Sequence, residues 1–193
     1  MHKLGVAAVL LAASVAGGSA RAADLAAGKA KAEICAGCHG ENGISTTENI
    51  PSLAGQQDQF IQWQLVYFRA GSRKNEAMQP IVEQLNNDDI RNLGAYFASL
   101  TPPKSPPDND ADLSKKGAQA AMGRRCASCH TDSYAGTKGV ARLTGQREEY
   151  LTKALRDYKS GARFGGAGGA MTDVAYPLNE EEITALAHYL AHL

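Results

Sequence analysis

The chain has 193 residues, 44 % of them apolar, with 20 basic and 20 acidic side chains and a formal net charge of zero. That balance excludes a general nucleic-acid binder, and the length allows one or two domains. All four cysteines fall inside two short motifs, so none is spare for a structural disulfide.

In chain order, the first element is a targeting segment, residues 1–22. Met1-His2-Lys3 is a short basic start, Leu4 to Val15 an apolar run, and Ala20-Arg21-Ala22 a small-x-small cleavage site. The run is shorter than the ~20 apolar residues of a membrane span. The expectation is export and cleavage, with the mature chain starting near Ala23 or Asp24. Loss of Lys3 and Arg21 leaves 18 basic against 20 acidic side chains.

Asp24 then caps a helix from Leu25 through Ile34, which leads into Cys35-Ala36-Gly37-Cys38-His39. C-x-x-C-H is the attachment signature of a c-type haem. Two thiols add across the porphyrin vinyl groups, and the following His supplies an axial nitrogen to the iron. A bare C-x-x-C also suits a redox disulfide or half a zinc site. The adjoining His, and the recurrence of the motif as Cys126-Ala127-Ser128-Cys129-His130, favour haem.

Leu53-Ala54-Gly55-Gln56 follows, then an amphipathic helix from Asp58 to Ala70 with Phe60, Ile61, Leu65 and Phe68 at helical spacing, ended by Gly71. Met78 comes next, then a third helix after Asn87-Asp88-Asp89, carrying Ile90, Leu93, Tyr96, Phe97 and Leu100. Four of the seven prolines lie between Thr101 and Asp110. That stretch is expected to be an extended, semi-rigid linker over residues 101–112.

The second half repeats the first. Leu53 to Arg73 align with Leu143 to Arg163 at a shift of 90, pairing Phe60 with Tyr150, Phe68 with Tyr158 and Arg73 with Arg163. After a three-residue insertion around Gly165–Gly169 the shift becomes 93, pairing Met78 with Met171, Ile90 with Ile183 and Tyr96 with Tyr189. Such matching marks a tandem duplication. It predicts helices over Gln146–Ser160 and Asn179–Leu193, little strand, and haem domains at 23–100 and 113–193. Each half is small for a self-sufficient core, and a covalently held porphyrin would complete it.

Met78 and Met171 follow their histidines by 39 and 41 residues and occupy equivalent positions, which makes them the candidate sixth ligands; His/Met ligation has precedent in cytochromes c. Thioether sulfur favours ferrous iron and leaves no open position for a substrate, which is carrier chemistry. His188 and His192 lack histidine counterparts in the first half and are read as surface residues. Residues 24–104 hold nine acids and seven bases, and 113–193 hold eight and eleven; these charges either simply solvate each half or form a dipole able to orient the molecule between donor and acceptor.

Two C-x-x-C-H domains, each followed by L-x-G-Q, an F/Y-x-x-G-x-R stretch and a Met before a terminal helix, resemble the di-haem cytochrome c4 family over essentially the whole mature chain. The resemblance implies an all-α protein of two tandem class I cytochrome c domains with pseudo-twofold symmetry, passing electrons between two covalently bound haem c groups and on to a terminal oxidase. It implies that the Pro51 carbonyl accepts the Nδ1–H of His39. In the second half Ala141 stands in that place, so the rigid ring is missing. It also suggests that Gly28 and Gly117 let the first helix of each half approach the terminal helix near Tyr96 and Tyr189. Arg73 and Arg163 either pair with a haem propionate, brace the domain interface or are simply solvated.

The expected function is therefore a periplasmic electron carrier and not an enzyme: a monomer, free or peripherally attached to the membrane. Its partners would be redox proteins (an oxidase, a cytochrome bc complex or a dehydrogenase). Two alternatives stand beside it. One is the cytochrome subunit of a periplasmic flavodehydrogenase. The other is a di-haem peroxidase or thiosulfate-oxidising enzyme, which the matched Met residues and the absence of a fifth Cys disfavour.

Overall fold

The computed structural model describes residues 22–164 and 166–193; the expected signal peptide, except its last residue, lies outside them. The described residues are helical and contain no strand, only isolated bridges at Arg73–Arg163 and Thr137–Val140. The first half comprises α1 (Leu25–His39), α2 (Asp58–Arg69), α3 (Gln79–Val82) and α4 (Asn87–Ser99). The second comprises α5 (Ala111–Gly123), α6 (Ala127–His130), α7 (Glu148–Lys159), α8 (Gly166–Ala175) and α9 (Glu180–His192).

Local chemistry explains where these helices start. The Asp24 carboxylate accepts from the amides of Ala26 and Ala27 at 2.9 and 3.0 Å, satisfying two of the orphan donors at the start of α1. The two terminal helices begin alike. Asn86 and Asp89 form a reciprocal capping box at α4, and Asn179 and Glu182 form its copy at α9.

The copies diverge at the haem-attachment motif. In the first half α1 runs unbroken into and through the motif to His39. Between Gly117 and Cys126 the second half has two more residues than lie between Gly28 and Cys35. There the helix stops at Gly123, Arg125 takes a left-handed conformation (φ 56°), and α6 begins afresh.

Each half has its own apolar core. One is built on Ile61, Phe68, Val82, Leu93 and Phe97, the other on Leu151, Tyr158, Leu178, Ile183 and Leu190. In both, the first helix crosses the terminal helix at a glycine. A Cβ on Gly28 would lie 2.3 Å from the Asn92 carbonyl oxygen, and one on Gly117 would lie 2.1 Å from that of Ala185. The backbones touch there, and only hydrogen fits between them.

The halves dock through contacts that come in pairs. Gln56 donates to the Arg142 carbonyl at 3.1 Å and accepts from the Arg142 amide at 2.6 Å. Gln146 donates to the Ser52 carbonyl and accepts from the Ser52 amide, both at 2.9 Å. Positions 56 and 146, like 52 and 142, are equivalent in the repeat, so the interface is two-fold in kind. The linker lies against the Leu-x-Gly-Gln loops of both halves: Pro102 sits on Gly55 and Pro103 on Gly145.

Candidate functional site

The two C-x-x-C-H motifs present the same groups on helical backbone. All four cysteines are free; Cys35 and Cys126 are half-buried, Cys38 and Cys129 exposed. Burial, reinforced by Cys38, pushes the Cys35 thiol up to about 11, and burial also raises Cys126. Dithiol oxidoreductases depend on a lowered thiol pKa, so this environment argues against a redox-disulfide reading.

The histidines are buried, His39 at 8 % exposure and His130 at 7 %. Their Nδ1 atoms lie 2.8 Å from the carbonyl oxygens of Pro51 and Ala141 respectively. A carbonyl only accepts, so Nδ1 carries the proton and the Nε2 lone pair is left for a metal. Burial lowers both pKa values, opposed by these same bonds, so both imidazoles are neutral. Ala141 thus makes the same bond as Pro51 without the ring, because it is the carbonyl that accepts.

Met78 and Met171 are half-buried against the two cores, and their neighbours there correspond one for one. Cys35, Leu53, Leu65, Met78 and Tyr96 line the first cluster; Cys126, Leu143, Leu155, Met171 and Tyr189 line the second. Met78 precedes α3, its amide held by Asn75 Oδ1 at 3.0 Å. Met171 lies within α8, a helix formed where a glycine-rich insertion gave no helical signal.

The two glutamines of the Leu-x-Gly-Gln loops act at the same sites. Ser52 and Arg142, which they grip, directly follow Pro51 and Ala141. The carbonyl partner of each histidine is therefore fixed in part by a side chain from the other half. Sequence reading missed this role, since nothing local to either Gln indicates a partner 86 or 94 residues away.

Arg73 and Arg163 meet at the interface. Both donate to Gln64 Oε1, at 2.7 and 2.9 Å, and both approach the Tyr150 hydroxyl, at 3.4 and 3.2 Å. Arg73 stacks on Phe68 and Arg163 on Tyr158. Burial pushes the Arg73 guanidinium down; at Arg163 burial acts the same way, but the Tyr150 and Tyr158 phenols outweigh it and push the guanidinium up. Burial would raise the Tyr150 phenol, yet Arg163 and Arg73 bring it down to about 8. No carboxylate hydrogen-bonds to either guanidinium among the described residues, and Arg163 Nε is buried without a partner there. That orphaned donor suits a negatively charged group.

Thr131 marks a difference between the sites. It follows His130 with φ 69° and ψ 164°, where the first half has Gly40 at φ 82° and ψ 151°. This region is essentially confined to glycine and costs other residues about 1–3 kcal/mol. Thr131→Gly is expected to stabilise the second half by about that amount, measured by denaturant unfolding with haem absorbance as the probe.

Paired thiols, a neutral buried imidazole with Nδ1 committed and a half-buried Met fit a covalently held haem in each half, and the second half adds the orphaned Arg163 donor. His188 is a correction to the sequence reading. It is not a surface residue but 3 % exposed, because Asp108 of the linker and Glu148 of α7 close over it.

The chain matches the family described as Cytochrome c over residues 25–101 and 114–193. It is similar to cytochrome c4 of Pseudomonas aeruginosa, 33 % identical over 203 residues that cover 100 % of each chain. It is also similar to a thiosulfate dehydrogenase electron acceptor of Thiomonas intermedia, at 29 % over 184 residues, covering 88 % of this chain and 82 % of the relative. The crystal structure of reduced recombinant cytochrome c4 from Pseudomonas stutzeri superposes with a TM-score of 0.82 at 31 % identity, covering 89 % of this chain and 100 % of that one.

Proposed function

Because the chain belongs to the cytochrome c family, and within it to the di-haem cytochromes c4, we propose that it carries single electrons in a periplasmic respiratory chain and delivers them to a terminal oxidase. It is a di-haem electron-transfer cytochrome with two covalently bound haem c groups, and not an enzyme. Redox proteins are its partners. When bound, each haem supplies a one-electron iron couple.

The chain's own residues do the rest. Cys35 and Cys38 would anchor one haem and Cys126 and Cys129 the other, and His39 with Met78 and His130 with Met171 would ligate the two irons. Pro51 and Ala141 hold the imidazoles in the Nδ1–H tautomer and so raise their basicity as ligands. Arg73 and Arg163 take haem propionates, a role the orphaned Arg163 Nε supports. The domains span 23–100 and 113–193, joined by the linker 101–112, whose last two residues already belong to α5, and preceded by a cleaved export signal over 1–22. No helix among the described residues is long and apolar enough to cross a membrane.

The observation that carries this reading is the duplicated ligand set: a buried neutral histidine and a half-buried Met on one core, twice. Two fixed protein ligands keep geometry nearly constant as an electron moves, which suits a carrier. Potentiometric titration is expected to show two one-electron couples. Met78→Ala and Met171→Ala should each remove the thioether–iron absorption of one haem and lower one couple, since thioether ligation raises the potential. An unchanged spectrum in both variants would refute the ligation, and turnover of peroxide or thiosulfate at enzymatic rates would refute the carrier role.

Similarity to a thiosulfate dehydrogenase electron acceptor favours a second reading, in which a periplasmic dehydrogenase is the donor. Co-purification of such an enzyme in fixed stoichiometry distinguishes it from a free shuttle.

A further inference from the structure

Away from the haem sites, the second half brings together a set of side chains that electron transfer does not use. His188 and His192 lie one turn apart on α9, so both project from one face. Glu148, the first residue of α7, faces them. One candidate ligand atom from each of the three lies within 4.8 Å of the other two. His188 Nδ1 is 3.1 Å from Glu148 Oε2, and His192 Nδ1 is 3.8 Å from the same oxygen. Ligands bonded tetrahedrally to zinc at about 2.0–2.1 Å are themselves about 3.3 Å apart, and the two distances to Glu148 Oε2 bracket that value.

We propose that Glu148, His188 and His192 bind a divalent transition-metal ion of the zinc class, at a site separate from the haems. Two imidazole nitrogens and one carboxylate suit zinc or copper(II) and not magnesium or calcium, which prefer oxygen. The surroundings supply what a metal-binding histidine needs. His188 Nε2 lies 3.1 Å from Asp108 Oδ1; a carboxylate at the far nitrogen fixes the ring and leaves Nδ1 for the ion. The His188 and His192 side chains are only 4 % and 9 % exposed, whereas that of Glu148 is 37 % exposed. The site is therefore walled on the imidazole side and open on the carboxylate side, giving an entry path and room for water as a further ligand. His192 Nδ1 also lies 2.8 Å from the His188 carbonyl oxygen, so binding exchanges that bond for one to the ion. Once bound, the ion would fasten α7 and α9 to each other and, through Asp108, the end of the linker to both. The other occupant of the same space is a proton, which makes His188 an imidazolium between two carboxylates.

The test uses the untagged holoprotein, dialysed against chelator and titrated with zinc by calorimetry at mildly alkaline pH. One saturable equivalent is expected. His192→Ala and Glu148→Gln, on different helices, should each weaken it at least tenfold. Asp108→Asn, a positioning change, should weaken it about 10–100-fold with haem spectra unaltered. Zinc-edge X-ray absorption, separate from the iron edge, should show two imidazoles. The proposal is overturned by the lack of a saturable equivalent, by unchanged affinity in both His192→Ala and Glu148→Gln, or by a zinc environment of oxygen alone.

Discussion

Replacing Gly117 by Val is expected to cost the second half about 3 kcal/mol and to lower its melting temperature by about 12–24 °C. A side chain at position 117 would begin 2.1 Å from the Ala185 carbonyl oxygen and 2.5 Å from Tyr189 Cβ. Neither neighbour is the free end of a flexible side chain. The first is backbone of α9 and the second is the root of a side chain on it, so α5 and α9 must move apart. The chain runs from α5 into Cys126 within three residues, and the variant is expected to incorporate less of its second haem. Gly123→Ala is the control. It lies at the end of the same helix, where an added Cβ would have no neighbour within 4 Å, so it should be neutral or gain up to about 1 kcal/mol. Unfolding followed by haem absorbance, with haem stoichiometry, checks both.

Removing the two cross-domain glutamines should have a comparable effect with a different signature. Gln56 and Gln146 are each 6 % exposed, and each satisfies both backbone groups of a residue in the other half. Substitution by Leu leaves a buried amide and carbonyl without partners, at about 1–3 kcal/mol per group. Gln56→Leu and Gln146→Leu should thus each cost about 2–6 kcal/mol, and hydrogen exchange should accelerate at the Arg142 and Ser52 amides respectively. The redox consequence is crossed. Gln146 belongs to the second half, but Ser52 follows Pro51, the acceptor of the His39 proton. Loosening that carbonyl weakens the bond to Nδ1 and makes the imidazole a poorer donor. Ferric iron is then less stabilised and the couple of the first half rises. A shift confined to the second half in Gln146→Leu would contradict this arrangement.

These two cases show why the sequence was informative in some places and silent in others. Covalent attachment needs a fixed local spacing, so Cys35, Cys38 and His39 could be read directly, and the duplication repeated the message at Cys126, Cys129 and His130. Helix caps are also local, and α2, α4, α7 and α9 fall close to their expected spans. The single-turn α3 is too short to show a period. In α8 the glycines oppose helix on intrinsic propensity, and packing against α7 overrides them. His188 was misread for a related reason: a histidine on a terminal helix looks solvent-facing until Asp108, 80 residues earlier, folds back over it. Gln56 and Gln146 carry no periodic or metal-ligand signal, and their function exists only once the halves have met.

Reciprocal bonding of this kind has a bearing on ancestry. Because Gln56 serves position 142 and Gln146 serves position 52, a single half severed at the linker carries both members of the bond, the glutamine and the backbone it grips. Two identical copies of such a half could therefore assemble face to face with the same four hydrogen bonds. The present linker, resting on Gly55 and Gly145, would then be a later tie between what had been two subunits. Divergence at Gly40 and Thr131, and at the break around Arg125, became possible once the two copies no longer had to be encoded by one stretch of sequence.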